Sequence, residues 1–218
     1  MARKKFTEFN MSNILSAAEE LFSEKGMEET SMDDIARLAN YSKSTVYVYF
    51  KSKEDIYNHV VLEYLKRLYE KVLSLTCGNG SFEKTYYSIC DAICQAYELN
   101  PSYFAYTLGP SRPQEDKVTD ESLRLIYATG ERMNDAITGF LRRGMAEGIL
   151  REDMDPAVME LTMWASISGS IAMAHSKEAY IRSQLRLTKK QYLKNAFSML
   201  WATIQKETVA PRATKAFA

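Results

Sequence analysis

Lys43, Ser44, Thr45, Tyr47, Tyr49, Lys51 and Lys53 crowd one short stretch with side chains suited to a polyanion. An ammonium pairs with phosphate or with the acceptor edge of guanine, hydroxyls reach phosphate, and a threonine methyl can meet a thymine methyl. On a helix, i and i+4 positions share a face. Lys43 and Tyr47 then form one stripe and Thr45 and Tyr49 a second, while Val46 and Phe50 form an apolar third that must face a core. Ser42 stands ready to cap this helix and Tyr41 adds an aromatic beside it. Lys53 lies where a further helix begins, and its ammonium together with that helix's first amide groups suits a phosphate.

A reading helix needs a partner to hold it at the groove. Thr30 and Ser31 are N-cap types, and Asp33 and Asp34 follow where carboxylates favour the positive end of the helix dipole. Met32, Ile35, Leu38 and Ala39 recur at helical spacing, and Asn40 then supplies a residue that tolerates the left-handed conformation of a sharp turn. Two short helices joined in this way predict a helix-turn-helix with its second helix in the major groove. The expected DNA-binding residues are Thr30, Ser31, Tyr41, Ser42, Lys43, Ser44, Thr45, Tyr47, Tyr49 and Lys53. Upstream, Ile14, Ala17, Ala18, Leu21 and Phe22 make Met11 to Glu24 an amphipathic first helix that Gly26 ends. The basic Arg3-Lys4-Lys5 reads either as an arm tracking a minor groove or phosphate line, or as a frayed tail.

Residues 10 to 55 resemble the DNA-binding region of the TetR family of transcriptional regulators. The matching frame runs through Ile14-Leu15, Ala17-Ala18, Leu21-Phe22, Lys25-Gly26, Thr30-Ser31, Asp34-Ile35-Ala36, Ala39, Ser42, Thr45, Tyr47, Tyr49-Phe50 and Ser52-Lys53-Glu54. The chain departs from the family's usual pattern at Asn40-Tyr41, where Gly-Val is common, at Ser44, where Gly is frequent, and at Met27, where an aromatic is favoured. Asn40 keeps the turn geometry, Ser44 limits the backbone's approach to DNA, and Tyr41 bears on operator preference. The resemblance implies a ligand-responsive DNA-binding regulator, most often a repressor, released from its operator when a small hydrophobic molecule enters the helical domain. Two rival readings stand beside it: a helical dimer that binds a protein partner and carries a vestigial DNA head, and an enzyme acting on a small hydrophobic molecule.

Beyond the helix-turn-helix the pattern stays helical. A long helix is expected from Lys53 to about Thr76, broken by Cys77-Gly-Asn-Gly80, and another runs from the Ser81 cap to about Leu99. Pro101 opens a short helix with Tyr103, Phe104 and Tyr106, and residues 109–117 read as a loop. Further helices are expected from about Asp120 to Glu147 with Gly148 as stop, from the Asp155 cap and Pro156 to about Ser176, and from Thr188 to about Lys206. No segment alternates at period two, so the fold class is all-α. Residues 1–52 form the three-helix DNA-binding domain, residues 53–207 the helical-bundle ligand-binding and dimerisation domain, and residues 208–218 a disordered tail. The long helix from Lys53 is a lever between the two parts.

With 28 basic and 28 acidic residues the net charge is zero, which excludes a non-specific nucleic-acid coat while leaving local recognition open. No apolar run approaches a membrane span and the N-terminus lacks a signal-peptide core, so a cytoplasmic location without membrane attachment is expected. Cys77, Cys90 and Cys94 have no neighbouring His and no metal-ligand spacing, and read as structural thiols. No catalytic motif, metal site or cofactor is expected.

Aromatics, isoleucines and a methionine nominate an effector site: Tyr86, Ile89, Ile93, Tyr97, Tyr103, Phe104, Tyr127, Met163 and Trp164, with Ser168, the tyrosine hydroxyls and His175 as polar tips and no cluster of charges to serve as counter-ion. Such a site suits a neutral or weakly charged hydrophobic compound. On the last two helices Trp164, Ile167, Ile171, Leu193, Phe197, Leu200, Trp201 and Ile204, with Ser166, Gly169 and Ser170 permitting close approach, predict a homodimer with a four-helix interface on a palindromic double-stranded operator.

Overall fold

The computed structural model describes residues 2–105 and 121–206, with side chains from residue 5 onward. Tyr106, the expected loop at 109–117 and the expected disordered tail lie outside the described residues. Helix α1 spans Ala2–Lys25 and is longer at its start than the apolar pattern suggests. The basic Arg3-Lys4-Lys5 therefore sits in a helix rather than in an extended arm or a frayed tail, because nothing in those residues breaks the helical register. Gly26, at φ 82°, takes the left-handed turn that ends it.

Helix α2, Met32–Leu38, starts at a reciprocal capping box between Ser31 and Asp34. Its end is a Schellman turn: Asn40 adopts φ 60°, its N–H donates to the Arg37 carbonyl, and the Tyr41 N–H donates to that of Ala36. Helix α3, Lys43–Tyr49, is capped by the Ser42 hydroxyl, which accepts from the Thr45 N–H. Then follow α4 (Lys53–Thr76), α5 (Phe82–Leu99), α6 (Pro101–Ala105), α7 (Glu121–Ala146) and α8 (Pro156–Ser176). A short α9 (Glu178–Tyr180) runs into a π-helical turn, Ile181–Leu185, and α10 (Lys189–Ile204) closes the series. Asp155 caps α8 ahead of Pro156, and Thr188 with Gln191 boxes the start of α10.

By packing, the chain divides into two compact units: residues up to Glu70 with Ala96–Arg132, and Lys71–Gln95 with Met133 onward. This division cuts α4, α5 and α7, and differs from the boundary at residue 53 read along the sequence. The first unit buries Ile14 and Ala18 of α1, Ile35 of α2, Val46 and Phe50 at α3, and Ile56 and Val61 of α4, all at 1% exposure or less. Tyr103 packs edge-on against Tyr57 and Tyr64, at 5.5 and 5.7 Å, and the Tyr64 hydroxyl donates to the Ala96 carbonyl.

In the second unit Tyr86 ties α5 to α10. Its hydroxyl donates to the Phe197 carbonyl at 2.9 Å and its ring lies 5.1 Å from that of Trp201. Phe82 stacks on Phe140 at 4.9 Å, and Gly144 permits a close approach: a Cβ there would stand 2.7 Å from Leu150 Cδ1. The connector after α7 pairs with the end of α10, the Arg151 N–H donating to Ile204 and the Lys206 N–H to Ile149, each at 2.9 Å. This isolated antiparallel bridge, Leu150 to Gln205, is the one departure from helical pairing seen among the described residues.

Two expectations change here. Ile167, Ile171, Leu193, Phe197, Trp201 and Ile204, nominated for the dimer contact, are buried in the protomer's own core. Packing α8 against α10 consumes those stripes and leaves Val158, Leu161, Met173 and Met199 exposed instead. Helix α8 is also long and apolar enough, by length and composition alone, to cross a membrane, with a mean hydropathy of 1.2. Its small and hydroxyl residues interrupt every apolar run without lowering the average much.

Candidate nucleic-acid interface and effector cavity

The apolar stripe of α3 is sunk into the first unit: Val46 is fully buried and Phe50 lies edge-on to His59 at 5.2 Å. The other faces are left to solvent, with Tyr47 at 50% and Val48 at 77% exposure. The Ser42 hydroxyl meets those of Ser44 and Thr45 at 2.8 and 2.7 Å, so the three form one polar cluster at the start of the helix. Lys43 bonds Asp33 across the turn at 2.8 Å, and that carboxylate holds its ammonium above the ordinary lysine range. Lys53 lies at the first turn of α4 and donates to the Glu28 carbonyl at 3.3 Å. Nearby, the Lys51 N–H donates to Asp55, and the Asp55 N–H to the Ser52 hydroxyl.

Thr30 does not belong to this surface. It is 2% exposed and its hydroxyl donates to the Gly26 carbonyl at 2.8 Å, closing the turn between α1 and α2. Ser31, its neighbour, is the cap. Asp34 ties α2 to the end of α1 through Lys25 at 2.9 Å. That ammonium, the Ser31 hydroxyl and the Ser31 N–H hold the Asp34 carboxyl well below the usual carboxylate range.

Tyr41 and Tyr49 turn partly inward and meet a residue absent from the expected set. Asn10 on α1, 4% exposed, donates from Nδ2 to the Tyr49 hydroxyl at 2.7 Å, and its Oδ1 accepts from the Tyr41 hydroxyl at 2.8 Å. The available signal was its register: Asn10, Ile14, Ala17 and Ala18 share a buried stripe, and a polar residue there must find partners. Its partners lie 31 and 39 residues away, beyond any local pattern.

The second unit contains a small, partly open apolar pocket of about 30 Å³. Five of the nominated effector residues line it, namely Tyr86, Ile89, Ile93, Met163 and Trp164, together with Ile137, Phe140, Leu141, Ile167, Ile204 and Glu160. A space of that size has room for about one water. Ser168, one helical turn past Trp164, is fully buried and its hydroxyl has no hydrogen-bond partner. Glu160, 5% exposed, places a carboxylate among these apolar side chains, and its apolar neighbours in sequence give no sign of a site. Tyr97, Tyr103, Phe104 and Tyr127 are corrected out of this lining: they belong to the first unit, where Tyr97 packs edge-on to Phe104 at 5.4 Å. Aromatic composition alone does not say which core a ring enters. An open cleft of about 1120 Å³, lined by the Cys77–Phe82 turn, Arg143, Glu147–Ile149, Trp201 and Lys206, had no sequence signal, since helix ends and turns compose it.

Burial pushes the Cys90 thiol up to about 12, while Cys77 is exposed and Cys94 half-buried. No group of three or more metal-ligating side chains occurs among the described residues.

With this geometry in view, comparison with known proteins is informative. The sequence model described as "Bacterial regulatory proteins, tetR family" matches residues 14–60, which contain α2, α3 and their supports. An uncharacterized HTH-type transcriptional regulator, YhgD of Bacillus subtilis, is 24% identical over 163 residues, covering 73% of this chain and 80% of that protein. The biofilm operon icaADBC HTH-type negative transcriptional regulator IcaR of Staphylococcus aureus is 46% identical over 48 residues, 22% of this chain and 26% of its own length. Among solved structures, a SmeT–triclosan complex superposes with a TM-score of 0.63 at 20% identity, covering 96% of this chain and 98% of that one, and shows the fold.

Proposed function

We propose that this chain, whose residues 14–60 match the TetR-family model, is a DNA-binding transcriptional regulator that acts as a cytoplasmic homodimeric repressor, released from a palindromic operator by a small hydrophobic effector. The observation that carries the reading is α3 itself: Val46 and Phe50 anchor one side in a core while Lys43, Ser44, Thr45 and Tyr47 stand toward solvent. Residues 1–52 supply the DNA contacts, and the action is binding rather than turnover. IcaR is named a negative regulator, which favours repression.

Exposed apolar side chains support the dimer. Val158, Leu161 and Met173 on α8 and Met199 on α10 are 48 to 72% exposed, and a Cβ at Gly169 would meet nothing within 4 Å. An apolar helix in which 39% of an 18-residue window is buried within its own chain is well suited to a second copy. The cavity beside Trp164 supports the effector site, as does the complex of SmeT with triclosan. Glu160 is the one charged side chain lining that cavity, which suits a mostly apolar molecule. Release requires that the effector bind the low-affinity state better than the DNA-bound one.

Selection of DNA from a random pool by the purified protein tests the reading, with two half-sites about one helical turn, or a multiple, apart as the expected result. Recovery of no preferred sequence, or a folded monomer at micromolar concentration, refutes it. Trp164 fluorescence should report effector binding, and Trp164→Ala should blunt release from DNA while leaving ligand-free DNA binding largely intact.

A further inference from the structure

We infer that Asn10 is a positioning residue for DNA reading: its buried amide holds the two tyrosines that bracket α3 and leaves the Tyr49 hydroxyl with its proton free for a DNA phosphate. The inference rests on the reading that α3 faces DNA, and goes beyond it by assigning different duties to Tyr41 and Tyr49.

A primary amide offers two donors and one carbonyl acceptor, and burying it unbonded is costly. Asn10 spends its acceptor on Tyr41 and a donor on Tyr49. The sense of these bonds agrees with the far side of Tyr41, where the Asn13 amide donates to the same hydroxyl at 3.5 Å. With its oxygen accepting from Asn13, Tyr41 directs its proton to Asn10 Oδ1, which turns the Asn10 NH2 toward Tyr49. Tyr41 thereby commits both its proton and an acceptor lone pair within the protein and serves as scaffold. Tyr49 only accepts from Asn10, so its own O–H remains a donor at the half-buried end of α3. Phosphate oxygens accept hydrogen bonds and never donate them at neutral pH, so a donor is the group that DNA requires here.

Asn10→Asp keeps the side chain's shape and reverses this polarity. A carboxylate accepts only, so it draws the Tyr49 proton inward. The test measures binding to the duplex selected by the wild-type protein, by fluorescence anisotropy, for N10D, Y49F and the double variant, with Lys43→Ala beside them. Tyr49→Phe should weaken binding about five-fold per half-site, the size of one net hydrogen bond. Asn10→Asp should cost about five-fold more with Tyr49 present than with Phe in its place, because its added charge repels DNA equally in both backgrounds. Equal costs in the two backgrounds overturn the inference, since a purely structural or electrostatic role predicts that equality. Tyr49→Phe removes one hydroxyl and needs no repacking, so unchanged binding by that variant also overturns it, whatever the folding of N10D. If Lys43→Ala weakens binding while Tyr49→Phe does not, this assignment fails and the reading of α3 stands. If neither has an effect, both fall.

Discussion

The surface around α3 and the cavity beside Trp164 are built by opposite means. The first is open to solvent and held by polar contacts: the Ser42–Ser44–Thr45 hydroxyls, the Lys43–Asp33 pair and the Asn10 fork. The second is lined almost wholly by hydrocarbon, around a space of about 30 Å³. DNA presents a regular array of charges, so a surface assembled in advance meets it with little ordering cost. A small hydrophobic effector instead needs apolar walls that close in its absence, because a dry void forfeits packing. On the proposed reading, widening of that space by an effector is the differential step on which coupling rests.

The largest expected effect breaks the packing around the pocket. Ile93, 1% exposed, lines it, and Ile93→Ala should destabilise the protein by about 2–5 kcal/mol through lost burial and a void that does not collapse. Benzene should recover part of the lost melting temperature in calorimetry; a cost near zero would mean that this region is not tightly packed. Gly144→Ala should follow at about 1–3 kcal/mol, since the new Cβ meets Leu150 at 2.7 Å and Phe82 at 3.0 Å. Chemical denaturation reads that loss, and a neutral result would show that Leu150 moves freely.

On the polar side the effects are smaller and appear in binding. Lys43→Ala should weaken operator affinity about ten-fold and lower the salt slope by about one per protomer if Lys43 meets phosphate. Asp33→Asn should strengthen binding by about two- to five-fold, because it frees Lys43 from its 2.8 Å partner and removes a like charge from the face. A salt titration of both variants sharpens the contrast with the cavity, where neither should alter effector binding.

The smallest effect is a pH dependence. Asp34 is held below its ordinary value by Lys25 and Ser31, so its stabilisation is present above the unfolded carboxylate value near 4 and fades as pH falls from there through the depressed folded value. Asp34→Asn should therefore melt lower than the wild type at pH 7, with the gap closing toward pH 2. A gap independent of pH would assign the loss to the capping bond alone.

Much of the architecture was legible because it is locally encoded. A capping side chain acts within three residues, so Ser31, Ser42, Asp155 and Thr188 mark helix starts directly. Asn40 and Gly148 adopt the left-handed conformations expected where α2 and α7 end. Part of the reading surface was legible for the same reason, since i, i+4 spacing separates Val46 and Phe50 from Lys43, Thr45 and Tyr47.

The rest depends on which stripe meets which. Thr30 and Ser31 are alike as N-cap candidates, yet packing between α1 and α2 buries one and exposes the other. Tyr97, Tyr103 and Phe104 resemble Tyr86 and Trp164 in chemistry, and the division into two units places them in a different core. By itself the sequence determined the helical class, the capped helix ends and the apolar back of α3, because backbone propensity, capping and periodicity act over a few residues. Only the tertiary structure decided that Asn10 joins Tyr41 and Tyr49, that Glu160 lines the cavity, and which apolar stripes remain exposed, because contacts between distant segments depend on side-chain packing that no local pattern specifies.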